Sequence, residues 1–348
     1  MTERDLQSEA AAALPVTILT GFLGSGKTTL LNYLVGRPEL ADTAVLINEF
    51  GDIGLDHLLV RKIDEAVLLL NSGCLCCKVR GDLVTAMRDL FLKRVRGEVP
   101  DFRRLIIETT GLADPAPILH TLMTDPLIGA RYRLDGVIAT VDAVNGSRQL
   151  DGHREPVKQA AVADRLVITK CDLADAEELA ALERRLRALN PAAPILRADH
   201  GAVDAAQLLD AGLFSAARKH PDVAGWLREE AYRQSGGHAH RHDEGAHDVE
   251  VTAFSVVFER PVDWDALVSA LDLLTATTGE QLLRIKGIVN AAGNPTPVVV
   301  HGVQHLFHPP VPLPAWPDDD RRTRLVFITR NLSREAVESV LRAVVTTG

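Results

Sequence analysis

Apolar residues in the first two hundred positions come in short runs set off by polar or turn-forming ones. The runs at 16–20, 43–47, 66–70, 104–107, 136–141 and 165–168 are continuous rather than alternating, the pattern of strands buried on both faces. Longer stretches with helical spacing lie between them, at 29–35 and again from about Asp82. Strands alternating with helices up to about Ala198 predict an α/β fold, a mostly parallel sheet flanked by helices. Residues 222–248 lose apolar periodicity, and SGGHAHRHDEGAH fills 235–247, so a linker or long loop is expected there. Beyond it, 249–258, 283–289, 297–305 and 324–328 read as strands, with helices at about 264–274 and 334–345. That order predicts a smaller α+β domain on a largely antiparallel sheet. The expected organisation is therefore 1–221, a linker at 222–248, and 249–348. The proline-rich stretch 308–317 is expected to be a rigid loop.

The first strand and helix enclose GFLGSGKT at 21–28. This fits the phosphate-binding pattern GxxxxGK[ST] in the strand, loop, helix context that the pattern requires, and it makes the first domain a P-loop NTPase. Backbone N–H groups around Gly21, Gly24, Ser25, Gly26 and Thr29 would face the phosphates at a helix N-terminus, where the dipole favours anions. Lys27 would reach the β- and γ-phosphates, and Thr28 would offer its hydroxyl to Mg²⁺. LIIETTG at 105–111 puts Glu108 at the end of an apolar strand, where a carboxylate can hold Mg²⁺ or its water, with Gly111 placed to sense the γ-phosphate. TKCD at 169–172 also follows a strand and has the form [N/T]KxD. Asp172 would accept from the guanine N1–H and N2–H₂, the Lys170 stem would lie over the base, and Thr169 stands where asparagine is usual. That donor pattern favours GTP over ATP; a strand-end turn is the other reading.

Composition narrows the class. With 348 residues, 46% of them hydrophobic, the chain can bury two cores. A formal charge of −9 argues against nucleic acid as a partner, since affinity for phosphate backbones comes from clustered Lys and Arg. No apolar run reaches membrane-spanning length and the start, MTERD, is acidic, so a cytoplasmic protein without a membrane partner is expected.

Three of the four cysteines crowd into NSGCLCCK at 71–78 as Cys74, Cys76 and Cys77, a segment expected to be a loop before the helix from about Asp82. Thiolates one residue apart can aim at a common point, and sulfur suits Zn²⁺ or another soft or borderline ion. Redox thiols and inert loop cysteines are the competing readings.

These residues together resemble the CobW-type metallochaperone GTPases, relatives of the GTPases that load nickel into hydrogenase and urease. The resemblance rests on 21–28, on NEFGDIGLD at 48–56, on 73–77, on ETTGLADP at 108–115 and on 169–172, and it continues through GEQLLRIKGIVN at 279–290. It implies a GTPase domain, a CobW C-terminal domain, and a CxCC loop that binds a transition metal beside nucleotide-responsive switches; the metal is read as zinc, with cobalt as the alternative. Residues 48–56 would be the first switch, with Glu49 and Asp52 near Mg²⁺ or the thiolate metal. Asp52 would serve as an extra metal ligand and, with Glu108, as an orienter of water. His238, His240, His242 and His247 form either an auxiliary metal-acquiring tract or a solvated linker. His301, His305 and His308 are read as a surface site or as structural residues. The implied partners are a client metalloprotein and a GTP- or metal-dependent second copy. Rival functions are cobalt handling for cobalamin synthesis, a P-loop kinase or ATPase, and a metal-storage or sensing module.

Overall fold

The computed structural model describes residues 13–49, 67–71, 76–209, 251–307 and 309–345, with only the backbone of 39, 48–49, 67–71, 76–82 and 306. Cys74, Asp52 and His308, and His238, His240, His242 and His247 of the 222–248 stretch, lie outside the described residues. The chain divides into two compact units, Met1–Glu183 with Pro194–Pro221, and Arg184–Ala193 with Asp222–Gly348.

The first unit holds strands β1 (Leu14–Gly21), β2 (Thr43–Glu49), β3 (Val67–Asn71), β4 (Arg104–Thr109), β5 (Tyr132–Asp142), β6 (Arg165–Thr169) and β7 (Ile195–Arg197). They form one sheet in the order β3-β2-β4-β1-β5-β6-β7, and every pairing is parallel. Helices cross between them: α1 (Lys27–Val35), α2 (Cys76–Arg96), α3 (Ala116–Thr124), the single turn α4 (Pro126–Gly129), α5 (Gly146–Gly152), α6 (Arg154–Val162), α7 (Ala176–Leu189) and the single turn α8 (Ala205–Leu208). Continuous apolar runs become central strands because both faces are covered. On one face, Leu30, Leu31 and Leu34 of α1 pack on Leu19, Ile106, Ile138 and Val167 from four different strands. Parallel strands bring the ends of β1, β4, β5 and β6 to one edge, where ligands gather in such sheets. Away from that edge, buried Asp135 accepts from the Arg104 guanidinium at 2.7 Å and from the Thr17 hydroxyl at 3.2 Å, a structural ion pair.

One boundary differs from the sequence expectation. Helix α2 starts at Cys76 rather than near Asp82, so Cys76, Cys77 and Lys78 open a helix instead of ending a loop. The earlier start takes Gly81 into the helix, where an interior glycine costs about 1 kcal/mol. Packing of Leu83, Met87 and Leu90, each no more than 1% exposed, outweighs that cost.

The second unit is an antiparallel sheet of β8 (Val251–Phe258), β9 (Leu282–Val289), β10 (Val298–Val303), β11 (Leu306–Phe307) and β13 (Thr323–Arg330) in the order β11-β10-β9-β13-β8, with β12 (Val311–Pro312) also on β10. The stretch expected to be a rigid loop thus contributes a two-residue strand, with Val311 beside Val299. Alternate residues of the long strands, among them Phe254, Val256, Ile285, Val300, Leu325 and Phe327, meet α9 (Trp264–Thr278) and α10 (Arg334–Val345) through Leu267, Leu271, Leu274, Val337 and Leu341. Asp263 caps α9 by accepting from the Ala266 N–H at 2.8 Å. His301 is 8% exposed and its Nε2 lies 3.3 Å from the Arg284 guanidinium. Of the two readings, surface site or structural residue, its burial favours the structural one, a core residue beside a cation. Among the described residues no helix is long and apolar enough to cross a membrane.

Phe327 is fully buried and stacks on Phe254 with ring centroids 5.6 Å apart. Replacing Phe327 by alanine is expected to destabilise this unit by about 3–5 kcal/mol, through lost transfer energy and a residual cavity. Urea unfolding followed by circular dichroism would check it; a loss under 1 kcal/mol would contradict the packing described.

Candidate nucleotide site

The P-loop occupies the shared strand edge and is tied to three neighbouring strand ends. Gly26 sits at φ 84, capping α1 in a left-handed conformation. A Cβ there would lie 3.3 Å from the Thr169 side chain, so a residue without a side chain is needed both for the turn and for the close approach. Thr169 donates its hydroxyl to the Ser25 carbonyl at 2.8 Å and to the Val141 carbonyl at 3.3 Å. Ser25 in turn shares a 2.6 Å hydroxyl pair with Thr140. Threonine in place of asparagine at 169 therefore still joins the TKCD segment to the phosphate loop.

Lys27 is 9% exposed, and its ammonium donates to the Gly21 and Phe22 carbonyls at 2.9 and 3.1 Å, inside the arc of the loop. The Thr28 hydroxyl donates to Glu108 Oε1 at 3.1 Å, and Glu108 is 6% exposed at the end of β4. A hydroxyl beside a buried carboxylate is a hard oxygen donor set that suits Mg²⁺; bound there, the ion would neutralise phosphate charge. Gly111 is packed against the P-loop so closely that a Cβ would come 2.6 Å from the Leu23 nitrogen and 2.8 Å from its Cα.

At the other end of the site, Lys170 takes a left-handed φ of 57 and Asp172 follows in a 3-10 turn, Cys171–Leu173. The Lys170 ammonium bonds Asp142 Oδ2 at 2.7 Å. Asp142 is 1% exposed and also accepts from the Val144 N–H at 2.8 Å, the Asn145 N–H at 3.1 Å and the Asn145 amide at 3.1 Å. Burial by itself pushes the Asp142 carboxyl up, but Lys170 and the Asn145 and Val144 donors hold it below the usual range. Because its value falls on folding, its stabilisation is complete above the ordinary carboxylate value of about 3.9. It is lost as pH drops through the lower folded-state value. The Cys171 thiol is pushed up by burial and donates to the Ile168 carbonyl at 3.4 Å, so it behaves as a structural thiol.

The structure thus brings together Gly21, Gly24, Ser25, Gly26, Lys27, Thr28, Thr29, Glu108, Gly111, Thr169, Lys170 and Asp172 along one sheet edge. Cys76 and Cys77 are placed by backbone alone, opening α2 after β3 at that same edge. Sequence reasoning missed Thr140 and Asp142, whose position at the end of β5 is the signal that could have found them. It also missed His200, whose Nε2 stands 3.9 Å from Asp172.

A P-loop beside a buried strand-end carboxylate, on a parallel sheet, defines a nucleoside triphosphatase of the P-loop class. Residues 15–197 match the nucleotide-binding domain of CobW/HypB/UreG, and residues 251–345 match the cobalamin synthesis protein cobW C-terminal domain; the chain belongs to this family. It is 32% identical to the zinc chaperone YjiA of Escherichia coli over 94% of this chain and 97% of that one. It is 33% identical to the zinc chaperone CobW of Pseudomonas aeruginosa, over 98% and 94%. The crystal structure of Zn(II)-bound YjiA GTPase from E. coli superposes with a TM-score of 0.68 at 27% identity, covering 95% of this chain and 99% of that one.

Asp142→Asn should free Lys170 and weaken GTP and GDP binding by about tenfold, near 1.4 kcal/mol; the half-exposed lysine limits the loss through solvent screening. Titration with a fluorescent guanine nucleotide tests this, and unchanged affinity would rule out the anchoring role.

Proposed function

We propose that this chain is a GTP-hydrolysing metallochaperone that carries zinc at its CxCC segment and delivers it to a client metalloprotein. What carries the reading is the sheet order β3-β2-β4-β1 with all strands parallel. The end of β3 leads to Cys76 and Cys77, the end of β2 leads into residues 50–56, and β4 and β1 end at Glu108 and the P-loop. Strands lie about 4.8 Å apart, so the segment that opens α2 starts only a few strand widths from the γ-phosphate position. The names of the similar proteins, zinc chaperones at about one-third identity over nearly the whole chain, support zinc as the cargo.

Lys27 and the loop amides bind and orient the phosphates, Thr28 and Glu108 hold the magnesium ion, and Lys170 with Asp172 selects guanine. Gly111 and residues 48–56, Asp52 among them, respond to the γ-phosphate and shape the thiolate site of Cys74, Cys76 and Cys77. The histidines between 238 and 247 gather metal for transfer inward. GTP tightens the metal site and hydrolysis loosens it, and linkage requires that zinc change GTP affinity by the same factor. A second copy of the chain is expected to join in the GTP- or metal-loaded state, and the cytoplasm is the expected compartment.

Zn²⁺ affinity, measured by competition with a chromophoric chelator, should rise at least about tenfold from GDP to a non-hydrolysable GTP analogue. Changing Cys76 and Cys77 to serine should abolish that rise and leave GTP binding intact, because hydroxyls are poor ligands for a borderline metal. Equal zinc affinity in the two nucleotide states would refute the coupling. Asp172→Ala should cost about 1–3 kcal/mol in GTP binding by removing the acceptor for guanine's donors. Isothermal titration with GTP and ATP decides it, and equal binding of both by the unmutated chain would overturn the base assignment.

A further inference from the structure

Gln159 on α6 is 1% exposed, and its amide nitrogen donates to the Gly111 carbonyl at 3.2 Å and to the Ala113 carbonyl at 3.0 Å. Carbonyls only accept, so the NH₂ end of the side chain must face them. The amide oxygen is buried with no hydrogen-bond partner among the described residues. A buried acceptor left unpaired costs about 1–3 kcal/mol. The arrangement therefore keeps a glutamine at a measurable cost, where an apolar side chain would fill the space but leave two carbonyls unmet.

In a trans peptide the carbonyl of one residue and the N–H of the next point in opposite directions. Holding the Gly111 carbonyl toward α6 thus aims the Leu112 N–H away from it. On its other side Gly111 meets Leu23 of the P-loop with no room for a Cβ. The next residues are fixed as well: the Lys158 ammonium pairs with Asp114 Oδ2 at 2.8 Å, the two side chains 17% and 30% exposed. The second Asp114 oxygen accepts from the Ala116 N–H at 3.0 Å at the start of α3. The same helical hairpin reaches the P-loop directly, since the His153 ring stacks on Phe22 at 4.7 Å and the Gln149 amide donates to the Leu23 carbonyl at 3.4 Å. Residues 149–159 therefore grip both the phosphate loop and the segment 111–114 lying against it.

We propose that Gln159 and Lys158 are positioning residues for GTP hydrolysis, acting through the backbone of Gly111 and the carboxylate of Asp114. They set where the segment 111–114 stands relative to the γ-phosphate, so they govern turnover and the preference for GTP over GDP. GDP carries no γ-phosphate, and its binding does not depend on them. The inference rests on the reading of Gly111 as the γ-phosphate-responsive residue.

The test measures kcat and KM for GTP and Kd for GDP in the full chain, for Gln159→Met, Lys158→Met and Lys158→Arg. Both methionine variants should lose at least tenfold in kcat while GDP affinity stays within twofold, and Lys158→Arg, which keeps the ion pair, should retain most of the turnover. A kcat unmoved in both methionine variants would overturn the proposal, as would GDP affinity falling in parallel with kcat, the sign of a merely destabilised fold. Lys158→Met leaves the Gln159 hydrogen bonds in place and decides the matter should Gln159→Met not fold. Gly111→Ala separates the two layers of argument. Normal turnover in that variant removes the reading of Gly111 and this proposal with it, whereas loss of turnover there, with Gln159→Met and Lys158→Met unaffected, removes the present proposal alone.

Discussion

The hydrogen bond from the Thr169 hydroxyl to the Ser25 carbonyl joins the two ends of the nucleotide site, and much of the first unit is arranged so that it can form. It requires β6 to end level with the P-loop, and β5 lies between β6 and β1 in the sheet. It also requires the P-loop backbone to come within van der Waals reach of the threonine, which the glycine at 26 permits. The single Thr169 hydroxyl proton is shared between the Ser25 carbonyl at 2.8 Å and the Val141 carbonyl at 3.3 Å, and a shift that breaks the shorter bond costs on the order of 1 kcal/mol. The bond thereby couples the phosphate end to the base end.

Charge in the site is handled in two different ways. At the base end, Lys170 is matched by a buried carboxylate that four donors hold ionised, so the cation is fixed in place by a partner it keeps. At the phosphate end, the Lys27 ammonium is oriented by the Gly21 and Phe22 carbonyls. A phosphate oxygen can then be met by a cation already confined to the loop, at little further cost in side-chain entropy.

The parallel sheet, the P-loop, the strand-end carboxylate and the TKCD segment were legible because each depends on residues close together in sequence. A buried strand reads as an apolar run, and a phosphate loop as glycines at fixed spacing. The start of α2 was not legible because Gly81 speaks against helix locally, while the burial of Leu83, Met87 and Leu90 that overrides it comes from the rest of the unit. The positions of Asp142, Gln159 and Lys158 beside the motifs were hidden for a similar reason. Asp142 meets a lysine 28 residues away, and Gln159 a glycine 48 residues away, and only the strand order makes them neighbours. For His301 the sequence left a surface site and a structural role open, and its burial in the sheet beside Arg284 favours the structural one.

A nucleotide switch needs one part that stays and one part that moves, and the hydrogen bonds of this unit divide along that line. The P-loop is held by side chains from β5 and β6, through Thr140 and Thr169, both buried. The segment after Glu108 is held differently, by one glutamine with an unmet oxygen and one partly exposed ion pair. The ion pair costs less to break than the buried hydroxyl contacts of the P-loop, because a partly solvated pair recovers hydration when it opens. Displacement driven by a new anion at the phosphate site is therefore expected to run through residues 110–114 and leave the P-loop in place. Among the described residues that segment follows Glu108 at the end of β4, which lies next to β2 in the sheet, and β2 lies next to β3, the strand that precedes the helix opened by Cys76 and Cys77. On the function proposed above, motion confined to that side of the sheet would couple the nucleotide to the segment of Cys76 and Cys77, and the base-reading side can remain rigid while it happens.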